Sequence, residues 1–359
     1  MRHQRTVRHA VDNPPSPRHT VRHVVLHLLT PLVMCLGMGL SYLGAFHAPQ
    51  DHMHGMKVAV VGTSARNQLL AQALKSKAGD ALDVITVPHQ AVARQQIMDR
   101  DLVGAYVPSA KHPELLVAEA NSGTSVTAAE EVFTKVAAKQ GAPLQVTDLS
   151  HMADGDRTNE NLFFLLVALS IGAVQGAAVI AAAGAALSVW TRASLGIVAA
   201  LAVSTIGAIL AGPCFNIVDH DQWGIWGMSL MYTAGILTIG IGLHTFLKRL
   251  TLLVLMALFI MLNFTTSGGI FEPELQGGFF GALHAFWDGA GFVEGARSLL
   301  YFDSAKLGGR ILSLALWLVA GLLLVVAAAV AERRTNPAPA PVPLAEADAE
   351  EEMGEAVAV

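Results

Sequence analysis

Charged side chains are scarce in this sequence. Asp, Glu, Lys and Arg make up 14% of the 359 residues, whereas soluble globular domains carry about 25%. Hydrophobic residues reach 53%. This composition argues against an ordinary soluble protein and favours an integral membrane protein.

Cysteines and recognisable catalytic motifs are also few. The two cysteines, Cys35 and Cys214, fall at different predicted depths, so no disulfide is expected. The chain has no G-x-S-x-G, no H-E-x-x-H and no Walker sequence. "VAVVGTSARN" contains only Gly62 of the three glycines that a dinucleotide site needs. We therefore expect no enzyme, no cofactor or metal held by this chain, and no nucleic-acid partner.

Long apolar stretches are what the sequence has instead. A membrane-spanning helix needs about 20 mostly apolar residues to cross roughly 30 Å of hydrocarbon. Six stretches meet this requirement, which predicts a polytopic α-helical membrane protein. They are 24–46, 162–185, 194–213, 223–245, 250–267 and 309–331.

Lysine and arginine lie at alternate ends of these stretches. Arginines precede the first stretch, and later connections hold Arg192, then Lys248 with Arg249, then a pair at 333–334. The connection 214–222 has neither residue type. Because cytoplasmic flanks are rich in Lys and Arg, we predict six spans in the plasma membrane with both termini cytoplasmic.

A polar insertion separates the first two stretches, and the charge pattern places it outside the cytoplasm. Alternating strand and helix patterns in it predict a small α/β domain with a partly parallel sheet. Either Ser125 or Thr127 is expected to cap its last helix. The predicted strands are 57–62, 83–87, 102–108 and 114–121, and the predicted helices are 66–76, 89–99 and 125–140.

The whole chain then divides into five parts by composition. A basic cytoplasmic tail precedes the first transmembrane helix, and a Pro-Ala and acidic tail, expected to be disordered, ends the chain. The parts are 1–22 (tail), 23–46 (helix 1), 47–160 (α/β domain), 161–331 (helices 2–6, with an outer re-entrant hairpin at 268–305) and 332–359 (acidic tail).

Two shorter motifs suggest contacts. "GAVQG" in the second stretch has the small-xxx-small spacing that lets helices approach closely, so Gly172, Gln175 and Gly176 are predicted to pack a helix or a dimer seam. A substrate contact at Gln175 is the alternative. His52 and His54 in "DHMHGM" are residue types that suit copper or zinc, but a polar junction between span and domain is the favoured explanation of the motif.

The segment "NFTTSGGIFEPELQGGFFGALHAFWDGAGF" (263–292) is too polar to span and too apolar for an ordinary loop. Gly268 and Gly269 are expected to stop a helix near Thr266. Pro273 is expected to open a short helix that runs to about Trp287, followed by a second helix over 292–302. An interfacial hairpin in an aromatic belt and an outer gate on a substrate path both fit. The gate would use Glu272, Glu274, Phe279, Phe280 and Arg297.

The same segment carries a family resemblance. Ser-Gly-Gly at 267–269, Pro273 with Glu274, the aromatic pair 279–280, and Arg297 before the pair 301–302 resemble the connection between spans five and six of ABC-2-type exporter permeases. The subgroup it is most similar to is that of phage infection protein (YhgE/Pip). The chain departs from it by lacking a proline after the aromatic pair and by having only "ALSVWTRASLG" (186–196) between spans two and three.

The resemblance implies a function and partners. Such a permease exports an apolar or amphipathic substrate, works as a homodimer or with a second permease, and uses ATP bound by a separate cytoplasmic subunit. The alternative from another class is a non-transporting envelope protein, a receptor or assembly factor, that presents residues 47–160.

Overall fold

The computed structural model describes residues 31–44, 47, 52–150, 152–153, 155–156, 159–184 and 186–335. The predicted basic tail 1–22 lies outside these residues. So does the predicted acidic tail, except for its first residues: the last helix continues to Thr335, beyond the predicted boundary at 331.

The α/β region is built around one five-stranded sheet. Strand β1 (Met56–Val61) lies between β2 (Leu82–Val87) and β3 (Gly104–Val107) and is parallel to both. Strand β4 (Glu114–Val117) is antiparallel to β3, and β5 (Gln145–Asp148) is parallel to β4 and forms the other edge. The strands alternate with helices α2 (Ala65–Ala78), α3 (Gln90–Met98) and α4 (Gly123–Lys139).

Three local predictions in this region were wrong. The edge strand β5 was not predicted, because "QVTD" is short, polar and mostly exposed. The fourth strand ends at Val117 rather than 121. The cap of α4 is Ser122, whose Oγ accepts a hydrogen bond from the backbone N–H of Ser125 at 3.2 Å, so the helix begins two residues earlier than its apolar pattern indicates.

The rest of the described chain is mostly helical. Helix α6 begins at Val189, so most of the predicted connection 186–196 belongs to the helix. Helix α8 passes through a π-helical stretch at Ala257–Leu262 and ends at Thr266, as predicted. The helices are α1 (Pro31–Gly44), α5 (Asn161–Ala183), α6 (Val189–Ile209, continuing to Cys214), α7 (Gln222–Leu247), α8 (Thr251–Thr266), α9 (Gly278–His284), α10 (Asp288–Tyr301) and α11 (Leu307–Thr335).

Four helical segments of the described chain are long and apolar enough to cross a membrane: Asn161–Ala183, Val189–Cys214, Gln222–Thr266 and Leu307–Thr335. The third is 45 residues long, more than twice the roughly 20 that one crossing needs. It breaks at Lys248, which has φ 47° and ψ −108°. A Cβ added at Gly240 would lie 2.8 Å from a methyl carbon of Leu255, so α7 and α8 fold back on each other as a hairpin.

The outer surface of the helices carries large apolar side chains. Val179, Val198, Ile206, Leu312 and Leu323 are all more than half exposed. A soluble monomer rarely leaves such a surface uncovered, whereas lipid covers it without cost. The fold is therefore that of a mostly helical membrane protein with a small α/β region, as predicted.

The two regions share one core. One face of the sheet packs with α2, α4 and Leu275. On its other face, buried residues of β1, β3 and α3 belong to the same apolar cluster as α5, α7 and α10. At this end of the helices the backbone N–H of Gly155 donates to the carbonyl of Asn216. The α/β region is therefore packed against one end of the bundle, and the basic residues 248–249 and 333–334 lie at the opposite end.

Candidate functional site

Residues 267–306 connect α8 to α11 and lie between the bundle and the sheet. The single helix predicted from Pro273 to Trp287 is wrong. Pro273–Leu275 form one 3₁₀ turn, and α9 starts only at Gly278 because Gln276 and Gly277 are extended. The Gln276 side chain holds this extended backbone by donating to the carbonyls of Thr265 and Phe271 at 2.8 and 2.7 Å.

The second predicted helix, 292–302, begins earlier than expected. The observed α10 starts at Asp288, and nearly all of its residues are buried, including Glu294 and Arg297. Two charged side chains one turn apart on a buried helix need ion-pair or hydrogen-bond partners. Burying a charge without such a partner costs free energy. These two residues are the centre of the candidate site.

Arg297 fastens the loop after α8 onto α10. It is 2% exposed. Its Nη1 donates to Glu272 and to Glu294 at 2.8 Å each, and to the carbonyl of Gly268 at 2.9 Å. Its Nη2 donates to the carbonyl of Gly269 at 3.3 Å. One guanidinium thus holds two carboxylates and two turn carbonyls together.

Arg100 reaches the same carboxylate from the α/β region. Its Nη2 pairs with Glu294, and its Nη1 donates to Ser298 Oγ at 2.8 Å and to the carbonyl of Glu294 at 3.0 Å. Its Nε donates to Asn121 at 2.7 Å, and the guanidinium lies 5.2 Å from the ring centre of Phe302. Through these contacts, Arg100 bonds the α/β region to α10.

The charges around Glu294 set the protonation of the cluster. Burial raises the pKa of Glu294, but Arg100 and Arg297 outweigh burial and hold that pKa well below its ordinary value. Burial and the neighbouring Glu294 raise the pKa of Glu272, against the opposing effect of Arg297. Burial lowers the pKa of His284 to about 4. The cluster therefore favours ionised Glu294 and neutral His284, and it opposes ionisation of Glu272.

Glu272, His284 and Glu294 are the described residues that come closest to a metal centre. One ligand atom from each lies within 4.8 Å of the others, and all three residues are buried. However, Arg297 donates to both carboxylates, and a cation there would face its charge at close range. His284 Nδ1 donates to the carbonyl of Thr266 at 2.9 Å, so only Nε2 is left as a ligand atom, and it is Arg297 that disfavours a metal ion here. The arrangement is better explained as an ion network than as a metal site.

A polar cavity of about 290 Å³ lies beside this network, between the sheet and α10. Arg100, His284, Glu294, Lys306 and Arg310 line it. Arg310 approaches Glu294 only at 3.8 Å. Four basic and four acidic side chains line the cavity in all, so neither sign of charge dominates it.

The five predicted gate residues do not line one path. Glu272 and Arg297 meet in the network, but Glu274 turns away and accepts a hydrogen bond from Ser125 Oγ of α4 at 3.0 Å. Phe279 and Phe280 contact each other edge to face at 5.2 Å, and Phe279 is 65% exposed. The gate stays a prediction, while the contacts show a joint between the two regions.

The predicted packing residues of α5 lie on two of its faces. A Cβ added at Gly172 would lie 3.0 Å from Val203 of α6, and one at Gly176 would lie 3.3 Å from Leu237 of α7. These glycines therefore pack within the chain. Gln175 is exposed on the outer surface, where a contact with a second copy stays a prediction.

The histidines of "DHMHGM" do not form a ligand pair in the structure. His54 Nδ1 bonds the carbonyl of His52 at 2.8 Å. The backbone N–H of His54 donates to the carbonyl of Glu274 at 2.9 Å. The described part of this motif therefore joins β1 to residues 272–276.

The sequence did not indicate a functional role for Arg100 or Glu294, the two other members of the network. Arg100 looks like an ordinary charge after an amphipathic helix, and Glu294 like a polar residue in an interfacial one. The available signal was Glu294 three residues before Arg297, the spacing of neighbours on one helix face.

Comparison of the chain with protein-family models, with curated proteins and with solved structures gives no match.

Proposed function

We propose that this chain is the membrane permease subunit of an ABC-2-type exporter, which moves an apolar or amphipathic substrate outward across the plasma membrane. In this proposal the chain has six spans, both termini are cytoplasmic, and residues 47–160 are extracytoplasmic. A separate ATPase binds ATP, and the chain pairs with itself or a second permease.

The observation that carries the proposal is the buried joint between the α/β region and the helices. Arg100 bonds the α/β region to Glu294 of α10, and Arg297 bonds Glu294 and Glu272 to the turn after α8. A joint of this kind transmits a shift of α8 or α10 to the α/β region, because buried ion pairs cannot slide without leaving a charge unpaired. An exporter that guides its cargo away from the membrane needs such mechanical coupling.

Co-purification tests the proposal most directly. Tagged full-length chain, extracted from its own cells in mild detergent, is expected to recover a protein with the Walker sequence G-x-x-x-x-G-K-[ST]. ATP hydrolysis by that complex should rise when amphipathic compounds are added. Recovery of no ATPase, or hydrolysis that ignores every lipid and amphipathic compound tried, contradicts export.

The joint gives a sharper second test. Arg100→Met should leave the ATPase bound and hydrolysing, yet abolish the stimulation by amphipathic compounds, because the α/β region is uncoupled. Arg94→Met is the matched control, since Arg94 is an exposed arginine of α3 in the same region. Equal loss of stimulation in both variants would remove the role assigned to the joint.

One observation favours the alternative, a non-transporting receptor or assembly factor. Strand β5 forms one edge of the sheet, and its Val146 is 42% exposed. An exposed sheet edge can accept a strand from another protein. Recovery of an extracytoplasmic protein partner by the full-length chain, with no ATPase, would support this reading over export.

A further inference from the structure

A second cavity, of about 840 Å³, lies at the end of the bundle opposite the α/β region. It is bounded by the last turns of α5, α7 and α11 and by the first turns of α6 and α8. Its volume is in the range of about 300–1,000 Å³ typical of small-molecule sites.

Positive charge dominates one side of this cavity. Arg192, Lys248 and Arg249 line it, against the single carboxylate of Glu332. That carboxylate is already occupied, because it pairs with Arg192 and accepts from Thr245 Oγ1 at 3.2 Å. Lys248 and Arg249 are exposed and have no carboxylate partner among the described residues. The cavity therefore has uncompensated charge for an anion.

Arg192 is a third cation on this side of the cavity and is buried in its wall. It is 4% exposed, and its buried Nε has no acceptor among the described residues. Burying an N–H without an acceptor is costly. A Cβ added at Gly184 would lie 3.1 Å from Arg192 Cγ, so the absence of a side chain there makes room for the arginine. The side chain is held in the cavity wall with a donor to spare.

The other side of the cavity is apolar. Ala178, Ala181 and Ala182 of α5 and Leu252 of α8 line it, together with Phe246. Phe246 is 51% and Leu252 is 37% exposed. A small inorganic anion, or an acidic peptide, would satisfy the cations and leave this wall uncovered. A ligand with an anionic head and an apolar chain matches both sides.

We propose that this cavity binds an anionic phospholipid, with its phosphate against Arg192, Lys248 and Arg249 and the start of an acyl chain along α5 and Leu252. Basic pockets between membrane helices are suited to such headgroups. The proposal goes beyond export, because the site holds the lipid whether or not the chain transports anything.

Lipid binding to the purified full-length chain tests the proposal. The probe is dioctanoyl phosphatidylglycerol, titrated in detergent and followed by native mass spectrometry. Each basic residue contributes roughly a factor of five to the attraction, so Lys248→Gln with Arg249→Gln should raise Kd about 25-fold. The matched control, Lys77→Gln with Lys139→Gln, removes two exposed cations of the α/β region and should leave Kd unchanged. Equal effects of the two pairs would overturn the assignment.

Two further probes separate headgroup from free anion. Dioctanoyl phosphatidylcholine should bind at least tenfold more weakly than the glycerol lipid, and inorganic phosphate more weakly still. Ala182→Trp, which fills the apolar wall at an exposed position, should weaken the lipid and leave phosphate unaffected. Phosphate as tight as the lipid, or phosphatidylcholine as tight as phosphatidylglycerol, would overturn the proposal.

The acidic tail of the chain is the competing occupant, because it follows Thr335 at the cavity rim. Deletion of 336–359 should leave the affinity for dioctanoyl phosphatidylglycerol within about twofold. A larger gain in affinity would assign the cavity to the tail and overturn the lipid as its occupant.

Discussion

Glu272 and Glu294 are both buried carboxyl groups bonded to Arg297, yet their pKa values are shifted in opposite directions. Glu294 has a second arginine, Arg100, and its pKa lies well below the ordinary value. Glu272 has only the shared guanidinium, and burial together with Glu294 raises its pKa. The two residues should therefore respond differently to the same substitution.

Glu294→Gln should destabilise the protein by about 3–5 kcal/mol, because two buried guanidiniums lose their common anion. Glu272→Gln should cost less, on the order of 1 kcal/mol, because burial already opposes the charged form of Glu272 and an amide oxygen can still accept from Arg297. Thermal unfolding in detergent, followed by tryptophan fluorescence, gives the comparison.

The control for this pair is Glu131→Gln, on the exposed surface of α4, where the paired Lys135 contributes little. If Glu272→Gln proved as costly as Glu294→Gln, the proposed difference in protonation would be wrong.

His284 predicts a pH dependence with a definite sign. Burial lowers its pKa to about 4, so between that value and about 6.5 the unfolded chain binds a proton that the folded protein does not. Stability must then fall as the pH falls through this window. The native residue should lose about 2 kcal/mol relative to His284→Gln between pH 7.5 and pH 5.

The measurement is the difference in unfolding free energy between the native protein and His284→Gln at each pH. The carboxylates contribute equally to both proteins, so their contributions cancel in this difference. His89→Gln, at an exposed imidazole, is the matched control. A difference that stays constant with pH would show that His284 is not buried as a neutral base.

At the scale of elements, the turn after α8 depends on glycine. Gly268 has φ 77°, a conformation that side chains rarely adopt, and an added Cβ would lie 2.8 Å from Cε1 of His284. Its carbonyl must point at Arg297 for the network to form. This glycine therefore fixes the direction in which the chain leaves the bundle.

Gly268→Ala should destabilise the protein by about 1–3 kcal/mol through strain at positive φ. Gly277→Ala in the same segment is the control. Gly277 has φ −61° and no atom within 4 Å of an added Cβ, so its replacement should be neutral or stabilising by up to about 1 kcal/mol. Thermal unfolding of both variants checks this, and equal effects would contradict it.

At the scale of the whole molecule, the joint should make the α/β region and residues 288–302 open together. Arg100→Met removes the cation that joins them, and amide exchange along α10 should accelerate on the order of 100-fold. Hydrogen exchange with mass spectrometry measures it, with Arg94→Met as control. Acceleration confined to residues 99–101 would show that the two regions are held together by apolar packing alone.

Local patterns in the sequence were sufficient for much of the fold. The apolar runs predicted α5, α7 and α8 to within a few residues. A helix that crosses lipid needs a continuous apolar segment, which is visible in the local composition. The alternation of strands and helices predicted β1 to β4. The polar edge strand β5 lacked that signal, and the cap at Ser122 was hidden by a neighbouring Ser125 that satisfies the same rule.

The site was only half predictable for a physical reason. One segment of the sequence was identified as unusual by the type and spacing of its residues. It contains Gly268, Glu272, Pro273 and Arg297. Their roles follow from Glu294 and Arg100, which lie 194 residues apart in sequence and meet only when the sheet packs on α10. The sequence alone does not show that the pKa of Glu272 is raised and the pKa of Glu294 is lowered, because the difference depends on Arg100.

The sequence by itself determined the class of protein, its helices and its α/β insertion, because each follows from composition and period within a short window. Tertiary structure alone decided that the segment 267–302 is a buried joint, since its charges are stable only with partners from a distant part of the chain. It alone also brought Arg192, Lys248 and Arg249 around one cavity, because their helix ends meet only in the folded bundle.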